Sequence, residues 1–305
     1  MLPSLPYHRY SHYLQNKFSC PVRKISIDAG FSCPNRDGTI GTSGCAYCNN
    51  DAFAPGRKQA ALSVSEQIER ALKCLRPRYP QANFIVYFQP FSNTHAPVER
   101  LEAIYCEALR FPDIVGLAIG TRPDCLDQSK VDLLAEIAGN TYLQLELGLQ
   151  SANNSTLARI NRRHTVNDFC RAMRMCRGRG MDLCGHMITG LPGESAQDAM
   201  HTALVMVAEG ITGIKIHNLH IVRGTPMAAD YAVTPFHLLT MQEHVKIVCD
   251  ILERLPWEIT VQRLTGTVPG KWLIGPAWCV QTGRVISAVE KELATRGTRQ
   301  GRCKG

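Results

Sequence analysis

Short apolar, β-branched runs alternate along this chain with stretches in which apolar residues recur every three or four positions. The short runs are Lys24–Ala29, Asn83–Gln89, Val115–Gly120, Tyr142–Leu149, Asp182–Thr189 and Gly213–His220, and each predicts a strand. Between them, Val64–Arg76, Val98–Arg110, Lys130–Ala138, Thr165–Arg179 and Ala196–Glu209 carry helical spacing. Ser63 and Ser65 are placed to cap the first of these helices, and Gly180 and Gly210 to end two others. Strands alternating with helices imply a parallel sheet covered by helices. The run Ile211–Leu219 is nearly all apolar, which predicts burial on both faces. The expected fold class is α/β, a partial, TIM-like (β/α)6 barrel with a C-terminal helical and mixed extension.

After residue 221 the pattern changes. Thr234–Leu255 reads as one long amphipathic helix, with Leu238, Val245, Val248, Leu252 and Leu255 on one face. A short strand at Ile259–Leu264, an aromatic segment around Trp272 and Trp278, and a helix at Val285–Arg296 follow. The expected division is an N-terminal extension (1–23), a core (24–221), a C-terminal extension packed on the core (222–296) and a basic, flexible tail (297–305).

At 305 residues and 45% hydrophobic content the chain can bury a full core. Its first ten residues contain no apolar segment of signal-peptide length, and no apolar run approaches a membrane span. Thirteen cysteines, an odd number, fit a reducing interior better than a disulfide framework. The expected location is cytoplasmic, with no membrane partner. The formal net charge of +8 favours polyanionic partners such as nucleic acid. Basic residues gather at Arg159, Arg162, Arg163 and His164, at Arg171, Arg174, Arg177 and Arg179, and at Arg299, Arg302 and Lys304.

The chemistry concentrates in Cys33, Cys45 and Cys48. Eleven residues separate the first two and two separate the last pair. Three thiolates can hold three irons of a four-iron, four-sulfur cluster and leave the fourth iron open to a ligand. Zinc also uses Cys-x-x-Cys pairs, and a structural zinc site would need a fourth ligand such as Cys20, Cys74 or a histidine, none of which has ligand-like spacing to the trio. Spacing alone leaves both open. In barrels of this class, chemistry gathers at the carboxyl ends of the strands. The cysteines follow the first predicted strand, while Gln89, Arg122 with Asp124, Gln150, His186 and His220 lie at or just past the ends of the others.

With those residues in view, the chain resembles the radical S-adenosylmethionine (radical SAM) superfamily, and within it the YhcC/YtqA-type group related to the radical SAM domain of the Elongator catalytic subunit. The resemblance is carried by Gly30-Phe31-Ser32-Cys33-Pro34-Asn35-Arg36-Asp37-Gly38-Thr39, Gly120-Thr121-Arg122-Pro123-Asp124, Glu146-Leu147-Gly148-Leu149-Gln150-Ser151, Asn161-Arg162-Arg163-His164-Thr165 and His186-Met187-Ile188-Thr189-Gly190-Leu191-Pro192-Gly193-Glu194. It implies a barrel of the radical SAM type. It also implies that Cys33, Cys45 and Cys48 bind a 4Fe–4S cluster whose open iron chelates S-adenosylmethionine. Reductive cleavage would then give a 5′-deoxyadenosyl radical, the cofactor carrying the chemistry while the protein orients it. By the same resemblance Tyr47 lies near the adenine, Gln150 and Arg162 hold SAM, and His186 lies near the ribose. An arginine fork suits a carboxylate. The family's Gly-Gly-Glu-like run is replaced by Phe88-Gln89-Pro90-Phe91-Ser92-Asn93-Thr94, which leaves Gln89 as the candidate for the SAM amine. An electron donor such as flavodoxin or ferredoxin is implied as a partner.

The relation to Elongator and the basic charge predict a tRNA substrate, modified on the C5 side chain of a wobble uridine. Two alternatives stand beside it. One is the same chemistry on a small, tetrapyrrole-like substrate. The other is a non-catalytic, zinc-bound nucleic-acid-binding protein.

Overall fold

The structure is a computed structural model that describes residues 5–53 and 62–303. The strands are β1 (Val22–Ile27), β2 (Asn83–Phe88), β3 (Ile114–Thr121), β4 (Tyr142–Gln150), β5 (Asp182–Thr189), β6 (Gly213–Asn218), β7 (Ile221–Val222), β8 (Thr260–Arg263) and β9 (Leu273–Gly275). Seven form one parallel sheet in the order β1-β2-β3-β4-β5-β6-β8, and β7 pairs antiparallel with β9. The parallel sheet is curled into a half-barrel covered by helices. All six expected strands are present. The seventh, β8, comes from the segment after residue 221, so the C-terminal extension lengthens the same sheet.

The helices are α1 (Tyr10–Phe18), α2 (Asn50–Phe53), α3 (Val64–Leu75), α4 (Val98–Ala108), α5 (Gln128–Asn140), α6 (Asn154–Arg159), α7 (Val166–Cys176), α8 (Ala196–Ala208), α9 (Pro226–Val233), α10 (Met241–Arg254) and α11 (Thr282–Thr295). Reciprocal side-chain caps start four of them: Ser63 with Glu66, Thr165 with Asp168, Ser195 with Asp198, and Thr240 with Glu243. Each satisfies two orphan amides. The helix expected over Thr234–Leu255 starts later, at Met241: α9 ends at Val233, and Thr234–Thr240 between it and α10 is not helical. Pro235 cannot sit inside a helix, and Thr240 begins a new one.

The pleat sorts the strands by face. Leu143, Leu145 and Leu147 of β4 and Ile214 and Ile216 of β6 point outward into the main core, against the helices. The intervening residues Gln144, Glu146, Lys215 and His217 point into the half-barrel. The burial expected for Ile211–Leu219 on both faces holds along β6, where Ile214 and Ile216 on one face and Lys215 on the other are all buried; one of those faces is apolar and the other polar. Helix α1 packs Leu14, with Tyr10 and Tyr13, against Ile85, Ala118 and Tyr142. Tyr13 donates to Asp182 Oδ2 at 2.8 Å.

The flexible tail is also corrected over the described residues. Gln300 is buried, its amide Nε2 donating to the Pro256 and Ile259 carbonyls at 2.7 and 2.8 Å, and its Oε1 accepting from His8 N at 2.8 Å. Cys303 N donates to Glu253 O. Lys304 lies outside the described residues. No described helix is long and apolar enough to cross a membrane.

Candidate active site

The cysteine loop follows β1 and is clamped to the segment after α6. Ala46 N donates to Ile160 O at 2.9 Å, Asn35 Nδ2 to Asn161 O at 2.7 Å, and Asn161 Nδ2 to Gly44 O at 2.6 Å. Within the loop Cys48 N donates to Cys45 O at 3.0 Å, so the Cys-x-x-Cys spacing is a turn. On the other side of the clamp, Asn161 (φ 52°) and Arg163 (φ 62°) are left-handed. Two such residues flanking Arg162 reverse the chain twice, and Arg162 turns inward. Asparagine tolerates this conformation; arginine adopts it at a cost.

Arg162 is buried, 7% exposed, which removes it from the surface basic patch. Its Nη1 lies 3.5 Å from Cys45 Sγ and its Nη2 donates to Gly148 O at 2.7 Å. Asn35 Nδ2 stands 3.8 Å from the same sulfur. Burial opposes ionisation of Cys45, but the guanidinium of Arg162, then Arg122 and the Asn35 amide, overcome it and hold the thiol below its ordinary value. Burial and the neighbouring Cys45 push Cys48 up to about 11, against the pull of Arg36. Arg122 binds Asp124 in a two-point pair at 2.9 and 2.8 Å and donates to the Arg162 carbonyl.

Where β4 meets β5 the register slips between Gly148 and Gln150, and Gln150 takes φ 77°. A bulge of this kind re-aims a side chain, often beside a site. Gly148 leaves room for both side chains here: a Cβ would lie 2.6 Å from Gln150 Nε2 and 2.7 Å from Arg162 Nη2 and would displace their ends.

The eight residues expected to bind the cluster and SAM all line one cavity of about 260 Å3, as do Arg122 and His220 but not Asp124. Cys33, Cys45, Cys48 and Tyr47 reach it from the loop, Arg162 from the segment after α6, and Gln89, Gln150 and His186 from the ends and interior of the sheet. Gln89 Nε2 donates to Phe53 O at 3.1 Å. Sequence reasoning missed the strand-built wall. There, Glu146 is 1% exposed and binds Lys24 Nζ at 2.8 Å, His186 Nε2 at 3.0 Å and Lys215 Nζ. Burial resists its ionisation, yet Lys215, Lys24 and His186 together hold the carboxyl well below the usual range. Burial, then Lys215, pushes His186 down to about 4. The signal for this wall was the alternation Gln144-Leu145-Glu146-Leu147-Gly148, polar inside and leucine outside.

A tetrahedral zinc site draws four donors to within about 2.3 Å of one point. Among the described residues no three histidine, cysteine or carboxylate groups are placed to hold one ion. Thiolates that each bind a separate iron of a cluster need no such convergence. A group with its own negative charge also fits the donors present. Arg162 Nε and Arg122 Nη1 are buried, without a partner among the described residues, on residues that line the cavity.

The model of the Radical SAM superfamily matches residues 36–206, and that of the Radical_SAM C-terminal domain matches 211–295. The chain belongs to the radical SAM superfamily. Among its relatives, YtqA of Bacillus subtilis (strain 168) is 40% identical over 299 residues, covering 97% of this chain and 92% of that protein. Elongator complex protein 3 of Mus musculus is 25% identical over 174 residues, 55% of this chain and 31% of that one. The archaeal Elp3 of Methanocaldococcus infernus superposes with a TM-score of 0.66 at 16% identity, covering 92% of this chain and 64% of that one, and supports the fold alone. As a radical SAM protein the chain is an enzyme that cleaves S-adenosylmethionine reductively, and its cofactors are a 4Fe–4S cluster and SAM.

Proposed function

We propose that this radical SAM enzyme modifies tRNA, on the C5 side chain of a wobble uridine, with Cys33, Cys45 and Cys48 holding the cluster. The cluster, when bound, supplies the electron for cleavage of SAM, delivered by a donor such as flavodoxin or ferredoxin. The observation that carries the site assignment is the shared cavity: three thiols from one loop face a wall built by the sheet, in which a buried carboxylate bridges two lysines. Arg162 and Asn35 hold the Cys45 thiol below its ordinary value, which favours the thiolate. The free N–H groups of Arg162 and Arg122 suit the carboxylate of SAM, and Gln89 its amine. Tyr47, Gln150 and His186 line the remainder of the pocket for the nucleoside end. Glu146, tied to two lysines and a histidine, offsets part of the cation charge of the inner wall.

The tRNA substrate is supported by the +8 charge and by the similarity to Elongator complex protein 3. A loop base can be splayed out of its stack and enter such a pocket. Nucleoside mass spectrometry of bulk tRNA from a deletion strain tests it. The expected result is loss of one C5-substituted wobble uridine and accumulation of its precursor. An unchanged nucleoside profile would move the substrate to a small molecule handled by the same chemistry.

A further inference from the structure

After the cysteines, the SAM-facing donors and the Glu146 network are assigned, two cavity histidines, His217 and His220, keep a buried Nε2 without a partner among the described residues, and the ring of His220 is held by a backbone hydrogen bond. His220 is 8% exposed and lines the cavity, and its Nε2 is buried with no partner among the described residues. Its Nδ1 lies 3.1 Å from the Asn218 carbonyl. A carbonyl only accepts, so Nδ1 carries the hydrogen. The ring is neutral, because burial pushes it down to about 4. Nε2 therefore presents a bare lone pair.

That lone pair is fixed in direction. Asn218 is locked by Thr265 Oγ1 and Gly266 N, which donate to its Oδ1 at 2.7 and 2.9 Å, and by its own amide, which reaches Cys279 Sγ. Phe53 meets the imidazole at 5.4 Å between centroids, edge to face. Gly266 backs it so closely that a Cβ would lie 3.0 Å from His220 Cε1. A rigid, desolvated acceptor of this kind rejects a ligand that cannot donate to it. The donor it takes is uncharged. Arg36, Arg122, Arg162, Lys215 and Arg263 line the same cavity, against Glu146 as its one carboxylate among the described residues, and a cationic donor would be repelled.

We propose that His220 is a specificity-determining residue that accepts a hydrogen bond from an uncharged N–H of the substrate. On the wobble-uridine reading, on which this proposal rests, that donor is the imide N–H of the uracil ring.

The test uses the full chain, reconstituted anaerobically with cluster and SAM. It compares two anticodon stem–loop RNAs that differ only in uridine or N3-methyluridine at the wobble position. The parent enzyme is expected to bind the methylated RNA about tenfold more weakly, the loss of one buried hydrogen bond. In His220→Phe, which keeps a ring against Phe53 but offers no acceptor, the two RNAs should bind alike. His220→Gln, whose side chain again carries an acceptor, should recover part of the preference. Equal binding of both RNAs by the parent overturns the role of His220 while leaving the tRNA substrate standing. A preference that persists in His220→Phe also overturns it, because steric exclusion then explains the effect. Failure of the parent to bind either RNA overturns the tRNA reading and this proposal with it.

Discussion

The two walls of the cavity were built by different kinds of information. The loop wall is local: Cys33, Cys45 and Cys48 lie within sixteen residues, and their spacing survives any error in the fold. The strand wall is assembled from four strands, with Lys24 on β1, Glu146 on β4, His186 on β5 and Lys215 on β6. No spacing in the chain announces it. The loop wall offers unsatisfied donors and thiols to a ligand, whereas the strand wall ties its charged groups to one another through Glu146. One wall is built to receive a cofactor and the other to hold a shape.

The contrast can be broken most strongly at Glu146. Replacing it with leucine leaves Lys24 and Lys215 without their shared carboxylate. Removing one partner of a buried charge cluster costs about 3–5 kcal/mol, so thermal unfolding should shift down by many degrees. An unchanged midpoint would mean that the strand wall is not held by this carboxylate. Next in size is the response to acid. Burial holds His186, His220 and His244 at about 4, against an ordinary 6.5. Between those values the unfolded chain binds protons that the folded rings refuse, so stability is complete above pH 6.5 and declines as pH falls toward 4. Unfolding midpoints at pH 7 and pH 5 check this, and a flat profile would contradict buried, neutral rings.

On the loop wall, Arg162→Ala removes donors from both Cys45 and the ligand pocket. Binding of SAM should weaken by about tenfold or more while iron content is retained, as expected for loss of a charged hydrogen bond. Unchanged affinity, measured by equilibrium binding, would confine Arg162 to supporting the loop. A smaller effect is expected at Arg263, exposed and lining the cavity. Its change to glutamate should weaken tRNA binding and lower the salt slope by about one. Arg171 and Arg174, on the flank of α7, are already paired with Asp168 and Glu209 and line no part of the cavity. Reversing their charge should change binding less than Arg263→Glu does.

Much of this was legible because a parallel sheet writes itself as repeated apolar runs. All six core strands and the five helices between them lie where periodicity predicted, and the eight residues expected to bind the cluster and SAM share the cavity. What was not legible needed partners far away in the chain. Nothing local marks Gln150 or Arg163 as left-handed, since neither is a glycine or asparagine. Arg162 beside Arg163 reads as surface charge until the clamp to the cysteine loop buries it. Gln300 sits in a basic, glycine-containing segment, and only the carbonyls at Pro256 and Ile259 explain its burial. Pro235, by contrast, was a visible stop signal that the apolar periodicity overrode. In β4 and β6, counting apolar residues hid the alternation that places Glu146 and Lys215 inside.

The most direct measurement is the iron and sulfide content of protein purified without oxygen, compared between Cys45→Ala and Cys106→Ala. Cys106 is exposed on α4 and does not line the cavity. The parent and Cys106→Ala should each hold about four irons and four sulfides per chain, while Cys45→Ala should hold almost none. Equal iron in the two variants would contradict a cluster held by the loop wall.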